Sequence, residues 1–500
     1  MHSYRSRLGL AALATLVQSL LHTLPSSQSL GHALWSATVP CLPRPTCWSA
    51  RLLEPHGAAV AGFQEVHLSL LAGFALLGTF ARRYMYSSLG LNMLLASLLL
   101  QWALLCNGFY NILPEAGGRF VVTLASLVRA DLTVCTVLIS AGLLLGTLTP
   151  LQMVVMGIIE TAVSTATQRI GTRVIKAADA GGSLYVHMFG AAFGLAAGIT
   201  VRHGDATAQR RSDTTDSFAM LGTVFLWCLW PTMNAATSPG MAEVSRCMVN
   251  TYLAMLSSTV IAFLCSAILS RRTRFSLVQV QNASLAGGVA VGASCDMVLH
   301  PAGAIGVGLV SGVVSSISYT YLQPWLNQRL KLRDARGVIS AHGLPGLLGG
   351  LISLVPTWTA TEAQYGGSLY RIFEGRLQQR HPDDQELTGF GFNRSATQQA
   401  GCQLLGVVVT LVLALVGGAM TGLVLRVPKF SPMYREQWYN DAWYWDLPED
   451  DEEQPVDAPG PKEQPLTEPT AVSSGGIVGD TLALVPSPEA AADLGVCDTV

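Results

Sequence analysis

Apolar stretches long enough to cross a bilayer recur along most of this chain, and their recurrence constrains the fold more than any single motif. A helix needs about 20 apolar residues to cover the hydrocarbon core. Such stretches occupy 62–81, 87–106, 120–146, 150–168, 182–201, 217–236, 248–269, 279–298, 303–322, 339–357 and 401–426. One more, Leu8 to Leu24 within residues 1–30, is short and basic-flanked, and reads either as a first helix or as a cleaved signal peptide. Backbone polar groups find no water inside lipid, so apolar spans of this length are helices. The expected fold class is an all-α polytopic membrane protein with about twelve transmembrane helices. Residues 61–357 would hold core helices two to eleven, and 401–430 the last helix. Only 12% of residues are charged and half are apolar, which excludes an ordinary soluble domain. A net charge of -2 gives no electrostatic footprint for nucleic acid.

Lys and Arg set the orientation. With the N-terminus in the cytoplasm, the cytoplasmic loops hold Arg82 and Arg83; Arg202, Arg210 and Arg211; Arg271, Arg272 and Arg274; Arg329, Lys331, Arg333 and Arg336; and Arg426 with Lys429. The opposite loops hold fewer, with Arg169, Arg173 and Lys176 as the exception. The positive-inside rule therefore places both termini in the cytoplasm. Residues 31–60 and 358–400 become extracellular loops, and the second carries Asn393-Arg-Ser395, a glycosylation acceptor in the right compartment. Asn282-Ala-Ser284 opens a helix and reads as a chance match. Residues 431–500 are acidic and Pro-rich, a mostly disordered cytoplasmic tail whose aromatic opening, Trp438 to Trp445, is the part suited to docking. The ten cysteines show no C-x-x-C spacing; those in or beside spans read as reduced packing residues, and Cys41 with Cys47 is a candidate pair in the first loop.

Among ten histidines, only His187 and His342 lie in Gly-rich spans of matching character: Asp179-Ala-Gly-Gly-Ser-Leu-Tyr-Val-His187-Met-Phe-Gly190 and Ser340-Ala-His342-Gly-Leu-Pro-Gly346-Leu-Leu-Gly-Gly350. A lone intramembrane histidine is most often a packing residue; two, on the sixth and eleventh spans, point to a shared site. With the first span set aside, spans two to six and seven to eleven form two sets of five. Five is odd, so the sets would face opposite ways, an inverted repeat with a site at the midplane. Facing imidazoles hydrogen-bond without a metal, one nitrogen donating and the other accepting, and burial favours their neutral forms. Such a pair in an apolar tube suits a small neutral polar molecule or a weak base such as ammonia, whereas a bare cation there loses its hydration at high cost. Asp179 can cap the sixth helix, draw cations or accept a proton, and the residues leave these roles open. Asp131, beside Arg129 in the fourth span, reads as a buried polar contact to a neighbouring helix, while Glu160 and Asp296 have no assigned role. Gly190, Gly194 and Gly198 share the His187 face and read as close-packing positions. No H-E-x-x-H or comparable cluster occurs, so no metal, cofactor or enzymatic role is expected.

Several segments together resemble one family. Asp179 to His187, Phe225-Leu-Trp-Cys-Leu-Trp-Pro231-Thr-Met-Asn234, Gln281-Asn-Ala-Ser-Leu-Ala-Gly-Gly-Val-Ala-Val-Gly292 and His342-Gly-Leu-Pro-Gly346 are similar to the Rh glycoproteins of the ammonium transporter superfamily, most of all the non-erythroid Rh types B and C. Gln101-Trp-Ala-Leu104 and Asp441-Ala-Trp-Tyr-Trp-Asp-Leu-Pro448 look like further family segments, so the resemblance runs from about residue 60 to 448. It implies the ammonium transporter fold, a homotrimer in the plasma membrane, and a pore in each subunit that passes ammonia in net neutral form, with carbon dioxide as a proposed second permeant. It implies further that His187 and His342 are the twin histidines, Asp179 the acidic residue, Phe225 one of two gating phenylalanines, and Asn234 part of the pore set. Two positions depart from the pattern: the other gate is Leu132, and an acidic vestibule position is Gln168. Leucine is still an apolar plug, and a less negative vestibule recruits cations less well. The alternative is a non-conducting Rh-type scaffold that holds partners, such as a cytoskeletal protein, through its tail; such relatives lack the histidine pair that this chain keeps.

Overall fold

The computed structural model describes residue 15 and residues 56–111, 122–201, 211–270, 272–330, 332, 334, 336–377, 391–430, 433 and 437–447. The first apolar run, the Cys41–Cys47 pair and the acidic stretch after residue 447 lie outside the described residues.

Helices occupy all eleven remaining spans: α1 Gly62–Leu77, α2 Met85–Asn111, α3 Leu124–Leu144, α4 Pro150–Arg169, α5 Ser183–Val201, α6 Asp213–Ala235, α7 Met241–Leu269, α8 Leu277–Val291, α9 Pro301–Arg329, α10 Ile339–Thr359 and α11 Ala396–Leu425. Eight of these are long and apolar enough to cross a membrane by length and composition, and the chain is a multi-pass membrane protein. Local chemistry sets several starts. Thr123 with Ser126, Thr149 with Gln152, Ser212 with Thr215 and Ser395 with Gln398 form reciprocal caps that satisfy orphan amides, and Pro150 occupies the first turn of α4, where a missing N–H costs nothing.

Burial separates centre from rim. The apolar window of α3 is 83% buried, whereas those of α7 and α11 are 33% buried. The rim helices are apolar all round because their outer faces meet lipid rather than water. The small residues act as the sequence implied. A Cβ at Gly190 or Gly194 would collide with α3 backbone at Thr136 and Ser140, and Gly418 and Gly422 of α11 lie against the backbone of α5. Close approach of these helices leaves little free volume at the centre.

Two regions differ from the sequence reading. The first is 358–400, expected as a polar loop. Short helices at Glu362–Tyr365 and Ser368–Ile372 build a small apolar core in which Tyr365, Leu369, Ile372 and Phe373 pack with Ala178 and Met297. Polar ties fasten it: Arg371 donates to the buried Glu243 (2.7 and 3.1 Å), and Lys176 pairs with Glu374 at 3.1 Å. The second is the start of the presumed disordered tail, because residues 437–447 are docked. The Asp441 carboxylate accepts the Tyr86 and Ser87 amides at the start of α2 (2.8 and 3.0 Å), and Trp445 Nε1 donates to Ser87 Oγ. Tyr439 packs edge-on against Phe80 and Tyr84. The aromatic side chains supply the apolar area that the later acidic sequence lacks, and Asp441 caps the start of α2.

Candidate pore and its central histidine pair

Each histidine is presented by the same local device. The segment Asp179-Ala-Gly-Gly182 leads through a π-turn, Ser183–Met188, to His187; Asp334-Ala-Arg-Gly337 leads through another, Ile339–Gly343, to His342. Gly182 and Gly337 both have positive φ, +73° and +77°, which permits the sharp entry into each helix. Each aspartate then caps the start that it precedes. Asp179 Oδ2 accepts the Leu184 and Tyr185 amides, both at 2.9 Å, and the Asp334 oxygens accept the Val338 and Ile339 amides at 2.8 and 3.0 Å. Burial pushes the Asp179 carboxyl up to about 7 and raises that of Asp334, against the lowering effect of these amides. Asp334 was missed in the sequence, although the signal, Asp-Ala-x-Gly-x-x-x-x-His occurring twice, was present.

The two helices bring the imidazoles together. His187 Nδ1 and His342 Nδ1 are 3.2 Å apart, and the rings stack with centroids 5.1 Å apart at 20°. Both are buried. Trp230, fully buried on α6 just before Pro231, stacks on His187 at 5.4 Å and on His342 at 6.3 Å, and Phe74 of α1 lies over His342 at 6.4 Å. Two neutral rings satisfy this contact, one Nδ1 donating and the other accepting. The donor ring then has a bare Nε2 that accepts, and the acceptor ring an Nε2–H that donates.

A cavity adjoins each histidine. The first, a small space of about 20 Å³, is lined by His187, Asp179, Gly181, Gly182, Leu132, Gln168 and Met233. Its counterpart, about 40 Å³, is lined by His342, Phe74, Phe80, Gly142, Asp216 and Arg336. Leu132 and Cys135 line the first and Leu138, Ile139 and Gly142 the second, so the cavities follow one another along α3, each with one of the two histidines in its wall.

The expected site residues therefore divide. His187, His342, Asp179, Leu132 and Gln168 converge on this axis. Phe225 does not: it is half-buried on α6 and lines neither cavity. Two turns along the same helix, Met233 takes that place in the wall, and Trp230 covers the histidines. Asn234 lies behind the wall, donating to Thr251 Oγ1 and the Gly288 carbonyl, both at 3.0 Å. Asn393 is exposed at φ +50°, next to Ser395, the α11 cap. Asn282 is buried and donates to the Arg336 carbonyl at 2.8 Å, so its sequon lies in the interior. Asp131 makes the expected interhelical contact, to His67 Nδ1 at 3.2 Å, and Glu160 accepts from Ser140, which also donates to the Gly190 carbonyl at 2.6 Å.

Comparison with known proteins gives the family. The profile described as Ammonium Transporter Family matches residues 58–432. The chain belongs to the ammonium transporter family. It is 39% identical over 394 residues to the ammonium transporter Rh type B of Mus musculus, covering 78% of this chain and 83% of that protein. Against Rh type C of Homo sapiens it is 36% identical over 391 residues, covering 77% and 79%. Among solved structures, Rh50 of Nitrosomonas europaea superposes with a TM-score of 0.64 at 27% identity, covering 79% of this chain and 94% of that one. The more distant Mep2 of Saccharomyces cerevisiae, 16% identical, shares the fold with a TM-score of 0.59 over 76% of this chain and 86% of that one.

Proposed function

We propose that this family member conducts ammonia as neutral NH3 through a pore within each subunit, past His187 and His342. The observation that carries the reading is the Nδ1–Nδ1 contact of 3.2 Å between two histidines, each in the wall of a cavity. Asp179 lines the first cavity and caps α5 with Oδ2, while its Oδ1 is buried without a hydrogen-bond partner. A carboxylate oxygen there favours ammonium and takes up the proton that ammonium sheds. The released NH3 passes the apolar plug at Leu132. It then meets one Nε2 that accepts its N–H and one Nε2–H that donates to its lone pair, with no full charge to desolvate. The Nitrosomonas europaea structure is itself described in terms of conduction by Rhesus family channels.

Reconstituted vesicles test the reading. With an inward ammonia gradient followed by stopped-flow internal pH, wild type alkalinises faster than empty vesicles, and a His187→Ala, His342→Ala double variant falls back toward them. Equal rates for all three would sink the proposal. The same vesicles under a carbon dioxide gradient test the second permeant. A homotrimer in the plasma membrane with cytoplasmic termini and a glycan on Asn393 completes the reading; its support is the Lys and Arg distribution, the lipid-facing rim of α7 and α11, and the exposed Asn393.

A further inference from the structure

The two histidine-bearing arms share the turn Asp-Ala-x-Gly ahead of the histidine, and within that turn they differ at one position: where the first has Gly181, the second has Arg336. Gly181 has no room for a side chain, since a Cβ there would lie 2.7 Å from Asn234 and from the Gly292 backbone. Arg336 sends a guanidinium into the wall of the cavity that also holds His342. Its backbone is pinned by Asn282 and its Nη2 donates to the Gly78 carbonyl, while the guanidinium lies 4.8 Å above the Phe80 ring. Nε is buried without a hydrogen-bond partner, and no carboxylate pairs with Arg336 among the described residues. Of the other charges nearby, Arg211 and Asp216 bond each other at 2.5 and 3.0 Å, and the Asp334 carboxylate accepts two amides and acts on Arg336 only through space. Burial lowers the Arg336 group only to about 10, so it is charged at neutral pH.

We infer that Arg336 is a specificity-determining residue, a fixed positive charge that bars ammonium from the His342 side of the pore while admitting ammonia. This rests on the pore reading above and adds to it the residue that discriminates between the two species. A guanidinium in a confined, weakly screened cavity repels a monovalent cation over the whole cavity length, because the pair energy scales inversely with the local dielectric. Neutral ammonia feels the opposite sign, since an unpaired guanidinium N–H donates to its lone pair. The histidine pair makes the pore inhospitable to charge at its centre, and Arg336 makes one mouth so.

Purified full-length protein in liposomes tests this with two readouts, alkalinisation by stopped flow and current on a solid-supported membrane after an ammonium jump. Wild type should alkalinise vesicles without current above empty liposomes. Arg336→Gln should carry an ammonium current raised about tenfold or more, and Arg336→Lys, which keeps the charge, should stay silent. A silent Arg336→Gln that still moves ammonia, or a wild type with a current as large, overturns the inference. Should Arg336→Gln not elute as folded protein, Leu77→Glu, which sets a carboxylate in the same cavity wall, decides: current supports the barrier and silence overturns it. Absence of wild-type alkalinisation fails differently, removing the pore and its barrier together.

Discussion

The Asp179 arm and the Asp334 arm share a carboxylate, a positive-φ glycine, a π-turn and a histidine, yet their carboxylates are used differently. Asp334 gives both oxygens to backbone amides. Asp179 gives only Oδ2 and leaves Oδ1 unpaired. The first is a cap with both oxygens used, whereas the second is a cap with one oxygen unpaired, the oxygen to which the proposed pore assigns the substrate cation. A repeated motif therefore preserves helix starts in both halves, and function enters where the surroundings stop satisfying one oxygen.

Substitution separates the two roles. Asp179→Asn keeps an acceptor for the amides but loses the charge, and ammonia flux in vesicles should fall by about tenfold or more, the scale on which a focused charge enriches a cation. Asp334→Asn should leave more flux but cost about 1–3 kcal/mol of stability through its weakened amide bonds, read as a lower Tm. Equal flux losses would erase the distinction.

The pH dependence sharpens it. Folded Asp179 holds its proton up to about 7, whereas the unfolded chain releases it near 3.8. Between those values the folded state binds more protons, so stability falls as pH rises through the window. Asp179→Asn removes this contribution, and its Tm relative to wild type should rise from pH 4 to pH 7. Asp334→Asn shifts in the same direction because burial raises Asp334 as well. Flux normalised to empty vesicles should increase as external pH passes about 7 in wild type and in Asp334→Asn, and stay flat in Asp179→Asn. A flat wild-type profile would remove Oδ1 from the mechanism.

Steric asymmetry gives a smaller effect. Gly181→Ala forces a Cβ against Asn234 and Gly292, so it should destabilise by about 1–3 kcal/mol, whereas the equivalent position in the other arm already accommodates arginine. The smallest change concerns Gln168, which lines the Asp179 cavity. Gln168→Glu should raise uptake at low ammonium by about threefold, and no change would show that Asp179 alone recruits.

Much of this was legible in the chain. Hydropathy placed eleven helices, because a span in lipid has no alternative means of satisfying its backbone, with ends that differ by up to seven residues, as at Met241–Leu269, Leu277–Val291 and Pro301–Arg329. His187 and His342 stood out because an ionisable group at that depth is costly, and Asp179 because it precedes a helix. Asp334 was legible but overlooked. Phe225 shows where motif reasoning slips: the motif covers two turns of α6, and only the angle of that helix decides that Met233 and Trp230, rather than Phe225, turn toward the axis.

Sequence by itself determined the helical spans and the two histidine arms, since these depend on local composition and spacing. Tertiary structure decided the rest. The Nδ1–Nδ1 contact, the free oxygen of Asp179, the guanidinium of Arg336 beside His342 and the docking of residues 437–447 on α2 each join side chains far apart in the chain. Such contacts depend on how far helices slide and rotate against one another, and that is set by the packing of all of them together.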